Sequence, residues 1–89
     1  MGVHLMIKVL VILPALNEEK TIGSVLAKIG EVLVPGIAIE TLVIDDGSTD
    51  STSRISCQCG AAVVRHDHNR GVGAAFQAGL KEAVLRNKY

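Results

Sequence analysis

Aromatic side chains are almost absent from this chain, which holds one Phe, one Tyr and no Trp in 89 residues. That scarcity argues against a stacking platform for single-stranded nucleic acid. It also means the core must be built from Val, Ile, Leu and Ala, which suits parallel strands covered by helices. Net charge is missing as well: nine basic and nine acidic residues cancel, so nothing draws the chain to nucleic acid or to an anionic membrane. Only two cysteines occur, Cys57 and Cys59. At that spacing they rarely meet disulfide geometry, and no second pair completes a zinc site. Reduced thiols in a cytoplasmic setting are the simple reading. No stretch approaches the roughly 20 apolar residues of a membrane span, so membrane insertion is not expected. The apolar run Val9–Leu13 is too short for a signal peptide, follows Lys8 and flows into polar Asn17-Glu18-Glu19 without a cleavage site.

What is present describes a small folded domain. An apolar fraction of 48% beside 20% charged residues belongs to a core-forming chain. The length allows one domain, and a chain this short buries only roughly 60% of its unfolded surface. Its stability margin is thin.

Ile7–Leu13 is a continuous β-branched and Leu run, short enough for a strand buried on both faces, and Pro14 is expected to end it. From about Glu18 the period changes. Ile22, Val25, Leu26, Ile29, Val32 and Leu33 recur at three- and four-residue spacing, which predicts a helix that Pro35-Gly36 stops. Asn17 is placed to cap it, with Glu18 and Glu19 in its first turn. Ile39–Ile44 predicts a second strand and Gly47 a turn. Ser48 or Asp50 then caps a short helix reaching about Ser56 or Cys57. Gly60 breaks again, and Ala62–Arg65 reads as a third, shorter strand. Beyond the polar loop His66–Arg70 a helix is predicted from about Gly73 to Asn87, with Val72, Phe76, Leu80, Ala83 and Val84 on one face. Helical crossovers imply parallel strands, right-handed connections and helices on the sheet faces. The fold class is α/β: a three-layer α/β/α Rossmann-like half-unit of a doubly wound sheet.

Two acidic turns stand at the carboxyl ends of the first two strands, Pro14-Ala15-Leu16-Asn17-Glu18-Glu19 and Asp45-Asp46-Gly47-Ser48-Thr49-Asp50. Ligands of open α/β sheets bind at such ends. A carboxylate in the first turn can accept hydrogen bonds from ribose hydroxyls or a base N–H; equally, Asn17 can cap while the two Glu offset the helix dipole. Asp45 and Asp46 repel each other, so one should point away or be satisfied by backbone N–H groups of the turn. An Asp facing the imide N–H of a pyrimidine base would discriminate sharply, and a capped Asx-type turn is the structural alternative.

The third polar feature runs from Asn69 to Gly79. Glycines before a helix allow close backbone approach, the helix N-terminus favours an anion such as a pyrophosphate, and Arg70 adds a forked donor. A dinucleotide fingerprint does not fit, because Gly71-x-Gly73 follows the third strand and Phe76 stands where the last Gly belongs. Gly79 within the helix costs stability relative to Ala, which points to close packing against a strand or a ligand. His66 and His68 flank Asp67 as loop histidines, and without a further ligand they read as exposed.

Together the three motifs resemble the opening of family 2 glycosyltransferases, and most of all the dolichyl- or polyprenyl-phosphate sugar transferases. The likeness runs from about Lys8 to Leu85. It implies the nucleotide-binding half of a GT-A domain, strands in the order 3-2-1, and a UDP- or GDP-linked sugar as ligand. On that resemblance Pro14, Ala15, Asn17 and Glu18 border the nucleoside, Asp46 contacts the base, and Arg70 with Gly71 lies near the donor. Leu16 stands where the family often has an aromatic residue against the base; it keeps apolar contact and loses stacking.

Intact members bind Mg or Mn and the diphosphate through an Asp-x-Asp motif after a fourth strand, and later segments bring the acceptor site and the catalytic base. These 89 residues contain no Asp-x-Asp, and Asp45-Asp46 does not replace it. The resemblance therefore implies no catalytic residue and no metal cofactor within this chain, and no sugar transfer by it alone. A fourth strand would lie beside Ile7–Leu13, so that strand's outer edge is expected to be open and to drive self-association. Residues 1–89 read as a single, partial family 2 domain, cytoplasmic unless a longer parent attaches it to a membrane. Two other readings stay open: a non-catalytic module that keeps the nucleotide crevice for regulation or assembly, and a structural α/β remnant without a ligand.

Overall fold

The computed structural model describes residues 6–86. Six elements alternate along them: β1 (Ile7–Ala15), α1 (Ile22–Gly30), β2 (Ile37–Asp45), α2 (Thr52–Gln58), β3 (Ala62–Arg65) and α3 (Val72–Arg86). The strands form one parallel sheet in the order β1-β2-β3, which is the predicted 3-2-1 order read from the other edge. Ala15 pairs with Asp45, and Asp45 pairs with Arg65. The three carboxyl ends are therefore level, and the turns that leave them meet.

Strand alternation decides which side chain meets which helix. Leu13, Ala15, Val43 and Val63 pack with Ile22 and Leu26 of α1 and with Ile55 of α2. Leu10, Ile12, Leu42, Ile44, Ala62 and Val64 take the opposite face and pack with Ala75 and Ala78 of α3. Two helices cover one face and one helix covers the other, giving the three layers. Central β2 is apolar on both faces, and Leu42, Val43 and Ile44 are fully buried.

The boundaries depart from the sequence expectation for identifiable reasons. β1 runs through Pro14 to Ala15, because a strand at the sheet edge tolerates a missing N–H. α1 is shorter than the apolar periodicity suggests and ends at Gly30. Val32 and Val34 are β-branched, and Pro35 disfavours a helical Val34. Asn17 does not cap α1. It has a left-handed φ of 52°, and the Glu18 carbonyl accepts the N–H groups of Thr21 at 3.0 Å and Ile22 at 2.8 Å before the helix begins. Thr21 takes the cap position.

α3 shows the largest difference. The predicted face of Val72, Phe76, Leu80 and Val84 is exposed, and small residues face the sheet instead. A Cβ on Gly79 would stand 2.6 Å from Ile12 Cγ2, so glycine lets the helix lie close on β1. Asn87, where the predicted helix ends, lies outside the described residues.

Candidate functional site

The two acidic turns are bolted to each other. The Asp46 N–H donates to the Ala15 carbonyl at 2.9 Å, extending the β1–β2 ladder into the turns. Beyond it, the Asn17 N–H donates to Ser48 Oγ at 2.8 Å and the Glu18 N–H to Thr52 Oγ1 at 2.9 Å. The Glu19 N–H donates to Asp50 Oδ2 at 3.2 Å. Reciprocal bonds run back: Asn17 Oδ1 accepts the Thr49 N–H at 2.9 Å, and Glu19 Oε2 accepts the Ser51 N–H at 3.0 Å. Asn is among the few residues other than Gly that enter the left-handed region readily, and that conformation accompanies bonds from both its backbone and its side chain to the second turn. Ser48 is committed to Asn17, so Asp50 serves the first turn of α2, accepting the Thr52 N–H at 2.9 Å.

Asp45 and Asp46 continue the strand alternation and so point to opposite faces. Asp45 is fully buried on the α2 side. Its Oδ1 accepts the Ser48 N–H at 2.8 Å, and its Oδ2 accepts the Ser53 hydroxyl. Burial pushes its pKa up, but the bonds from Ser48 and Ser53 and the positive charge of Arg65 outweigh it and hold the carboxyl below its ordinary value. Arg65 also donates to the Ser48 carbonyl at 2.7 Å.

Asp46 turns to the α3 side. Its Oδ1 accepts the Arg70 N–H at 2.8 Å and lies 2.9 Å from His66 Nδ1. Its Oδ2 accepts the Gly71 N–H at 2.8 Å. The Arg70 N–H, then His66 and Gly71, hold this carboxyl below its ordinary value, against the opposing effect of burial. The glycine loop that the sequence marks as an anion cradle thus already embraces an anion of its own chain. Gly71 has φ of +91°, a conformation open to glycine, as it turns its N–H toward Asp46.

Beside Asp46 a cavity of about 240 Å³ opens at the carboxyl end of the sheet. Of the residues singled out from sequence, Pro14, Ala15, Asp46 and Gly71 line it, together with Leu16. Asn69, Val72 and Ala75, to which the sequence assigns no ligand contact, complete the wall. Asn17 and Glu18 lie in the seam between the turns, and the Glu18 carboxylate accepts the Thr21 hydroxyl at 2.9 Å. Arg70 contributes its N–H to Asp46, while its guanidinium reaches toward Asp67 at 3.5 Å.

His66 corrects the sequence reading. It is not an exposed loop residue but is 8% exposed, and its N–H donates to the Asp45 carbonyl at 2.8 Å. That bond carries the β2–β3 ladder one residue past β3, so alternation puts His66 on the same side as Asp46. Counting by twos from Ala62 and Val64 was the signal that could have found it. His68, by contrast, is exposed and pairs with Asp67 at 2.7 Å. Among the described residues no group of three His, Cys, Asp or Glu side chains could hold a metal ion; Asp45, Asp46 and Asp50 are all turned to donors of the protein.

Glycosyl transferase family 2 matches residues 10–85. The chain belongs to that family. An uncharacterised protein of Methanocaldococcus jannaschii is 42% identical over 78 residues, which are 88% of this chain and 30% of that protein. Glucosyl-3-phosphoglycerate synthase of Mycolicibacterium smegmatis is 48% identical over 57 residues, covering 64% of this chain and 18% of the enzyme. The crystal structure of the Mycobacterium tuberculosis glucosyl-3-phosphoglycerate synthase with UDP superimposes with a TM-score of 0.70 at 33% identity, over 86% of this chain and 30% of that one. The same synthase with Mn2+, UDP-glucose and phosphoglyceric acid also gives 0.70. This family 2 chain spans about 30% of the length of these structures. It has the α/β unit of their GT-A fold.

Proposed function

We propose that this family 2 chain is the donor-nucleotide-binding part of an inverting glycosyltransferase. In this reading, residues 1–89 form one partial domain. Pro14, Ala15, Asp46 and Gly71 contact the nucleoside of a UDP- or GDP-linked sugar. Arg70 flanks the diphosphate side, and Asn17 and Glu18 border the nucleoside by holding the two turns together. The observation that carries the reading is the cavity at the carboxyl end of the sheet, apolar along Pro14, Leu16 and Val72 with Asp46 in its wall. Ligand pockets run to roughly 300–1,000 Å³, so about 240 Å³ suits a base with part of its ribose and leaves the sugar outside. The binding of UDP and UDP-glucose by the M. tuberculosis synthase supports a uridine nucleotide first.

Transfer itself calls for more than these residues supply. The chain contains no Asp-x-Asp, and the described residues do not fit the Mn2+ or Mg2+ seen with the synthase. The acceptor in the intact enzyme is a lipid phosphate or a glycan in this reading. Relatives that share this stretch carry different names, glucosyl-3-phosphoglycerate synthase and 4,4'-diaponeurosporenoate glycosyltransferase, so acceptor choice belongs to other segments. Exposed, unbonded Cys57 and Cys59 suit a reducing, cytoplasmic setting, and no helix among the described residues is long and apolar enough to cross a membrane.

A second copy is the proposed protein partner. β1 pairs only with β2 among the described residues, which leaves its other edge open. A two-fold axis normal to the sheet would join two β1 edges antiparallel and bring the exposed Phe76 and Leu80 of both α3 helices together. The function test is a UDP titration of the purified chain followed by amide NMR, beside a transfer assay with UDP-glucose and Mn2+. Binding in the millimolar range without transfer is expected. Absence of binding at 10 mM, taken as roughly ten times the weakest useful affinity, would leave the structural remnant; binding with turnover would overturn the assignment of chemistry elsewhere. The alternative, a non-catalytic nucleotide-binding or assembly module, is favoured if UDP changes the oligomeric state.

A further inference from the structure

Three donors of the chain meet the Asp46 carboxylate: the backbone N–H groups of Arg70 and Gly71 and Nδ1 of His66. A carboxylate offers about four lone-pair sites on its two oxygens. Arg70 and Gly71 occupy one on each oxygen through backbone N–H groups at 2.8 Å. His66 Nδ1 occupies the second site on Oδ1 at 2.9 Å. A carboxylate held below its ordinary pKa only accepts, so Nδ1 of His66 must carry the proton. One acceptor site is then left, on Oδ2, and Asp46 belongs to the wall of the cavity.

We infer that His66 is a positioning residue for base recognition: its Nδ1–H saturates Oδ1 of Asp46, so that the single acceptor left to a ligand is on Oδ2. The inference rests on the nucleotide reading proposed above and deepens it. The two N–H groups alone would hold one bond on each oxygen and leave each with a free lone pair. Either oxygen could then accept from a ligand. With His66 in place Oδ1 is full, and its ring is 8% exposed, packed where it cannot swing away into solvent. A fixed acceptor with one vacant site selects a base whose pairing-edge ring nitrogen carries a proton, such as the imide N3–H of uracil. It rejects cytosine, whose N3 is itself an acceptor, because two lone pairs would then face each other. His66 acts through Asp46 and touches no ligand.

The test compares UDP with CDP on the wild-type chain, His66→Leu and His66→Asn, by amide NMR titration. Asn keeps an N–H donor near the Nδ1 position; Leu removes it. Wild type and His66→Asn are expected to prefer UDP, and His66→Leu is expected to lose about tenfold of that preference, the weight of one net hydrogen bond. Nitrogen-15 spectra of the imidazole, recorded without nucleotide, are expected to show a proton on Nδ1. A His66→Leu chain that keeps native amide dispersion and the full UDP preference would overturn the inference, as would a ring with its proton on Nε2 alone. If the wild-type chain binds neither nucleotide, the nucleotide reading falls and the inference with it. If it binds both equally while Nδ1 is protonated, the nucleotide reading stands and only the inference falls.

Discussion

At the carboxyl end of the sheet Asn17, Glu19, Asp45, Asp46, Ser48 and Asp50 each meet a partner within the chain, whereas along the outer flank of α3 Val72, Phe76, Leu80 and Val84 face solvent. The first region is polar and closed by short bonds between segments some thirty residues apart. The second is apolar and open. Polar satisfaction at the turns is achieved by these residues themselves, so the crevice can form without help. The α3 flank is where the proposed association with a second copy is to be sought, since exposed apolar patches mark interaction sites. The contrast predicts that damage at the turns costs stability, while changes on the flank cost association.

Gly47 offers the strongest way to break the closed region. Its φ is +87°, and a Cβ there would stand 2.6 Å from the backbone carbonyl carbon of His68. Gly47→Ala is expected to destabilise by about 3 kcal/mol or more, from the left-handed conformation and the backbone clash together. A urea midpoint followed by circular dichroism measures it. Gly73→Ala, where a Cβ meets nothing within 4 Å, serves as the control and should be neutral or stabilising by up to about 1 kcal/mol. Equal losses for the two would mean that the turn and the loop do not touch as described.

Acid comes next in size. Asp45 and Asp46 both titrate below the ordinary carboxylate value when folded. Each therefore stabilises the fold above its unfolded pKa of about 4, and that contribution is lost as pH falls through the lower folded values. Stability should hold from about pH 7 to 5 as far as these groups are concerned, then fall below about pH 4. Asp46→Asn should make the acid limb shallower, read as the urea midpoint against pH. Identical limbs for the two chains would remove Asp46 from the explanation.

The open region is tested by Phe76→Lys with Leu80→Lys. Both side chains are more than half exposed, so the urea midpoint should move little. Sedimentation equilibrium should show dimerisation weakened roughly tenfold or more. A wild-type chain that stays monomeric at high concentration would instead mean that the flank and the β1 edge do not seek a second copy.

Much of the fold was legible because β-branched runs, helical spacing and turn residues agree with one another. Ala62–Arg65 was bounded correctly by Gly60 and the polar loop. What failed was the choice of inner face on α3. Spacing of large apolar residues located the helix, but Ala75, Ala78 and Gly79 pack inward because small residues let the backbone approach β1 closely. Asn17 was misread for a similar reason: its capping chemistry is used across the gap to Thr49 rather than along its own helix. At the site, the turns and Asp46 were visible as carboxylates at strand ends. His66 was hidden because it lies one residue beyond a strand whose ladder continues through its backbone.

The central claim is that a nucleotide enters between Leu16, Asp46 and Gly71, and an amide-resolved titration with UDP tests it most directly. The predicted result is saturable shifts concentrated at Ala15, Leu16, Asp46, Gly71 and Val72, strongly weakened by Asp46→Asn in a chain that remains folded. Shifts that gather instead at the opposite end of the sheet, around Val32 to Ile37, or that survive Asp46→Asn unchanged, would contradict it.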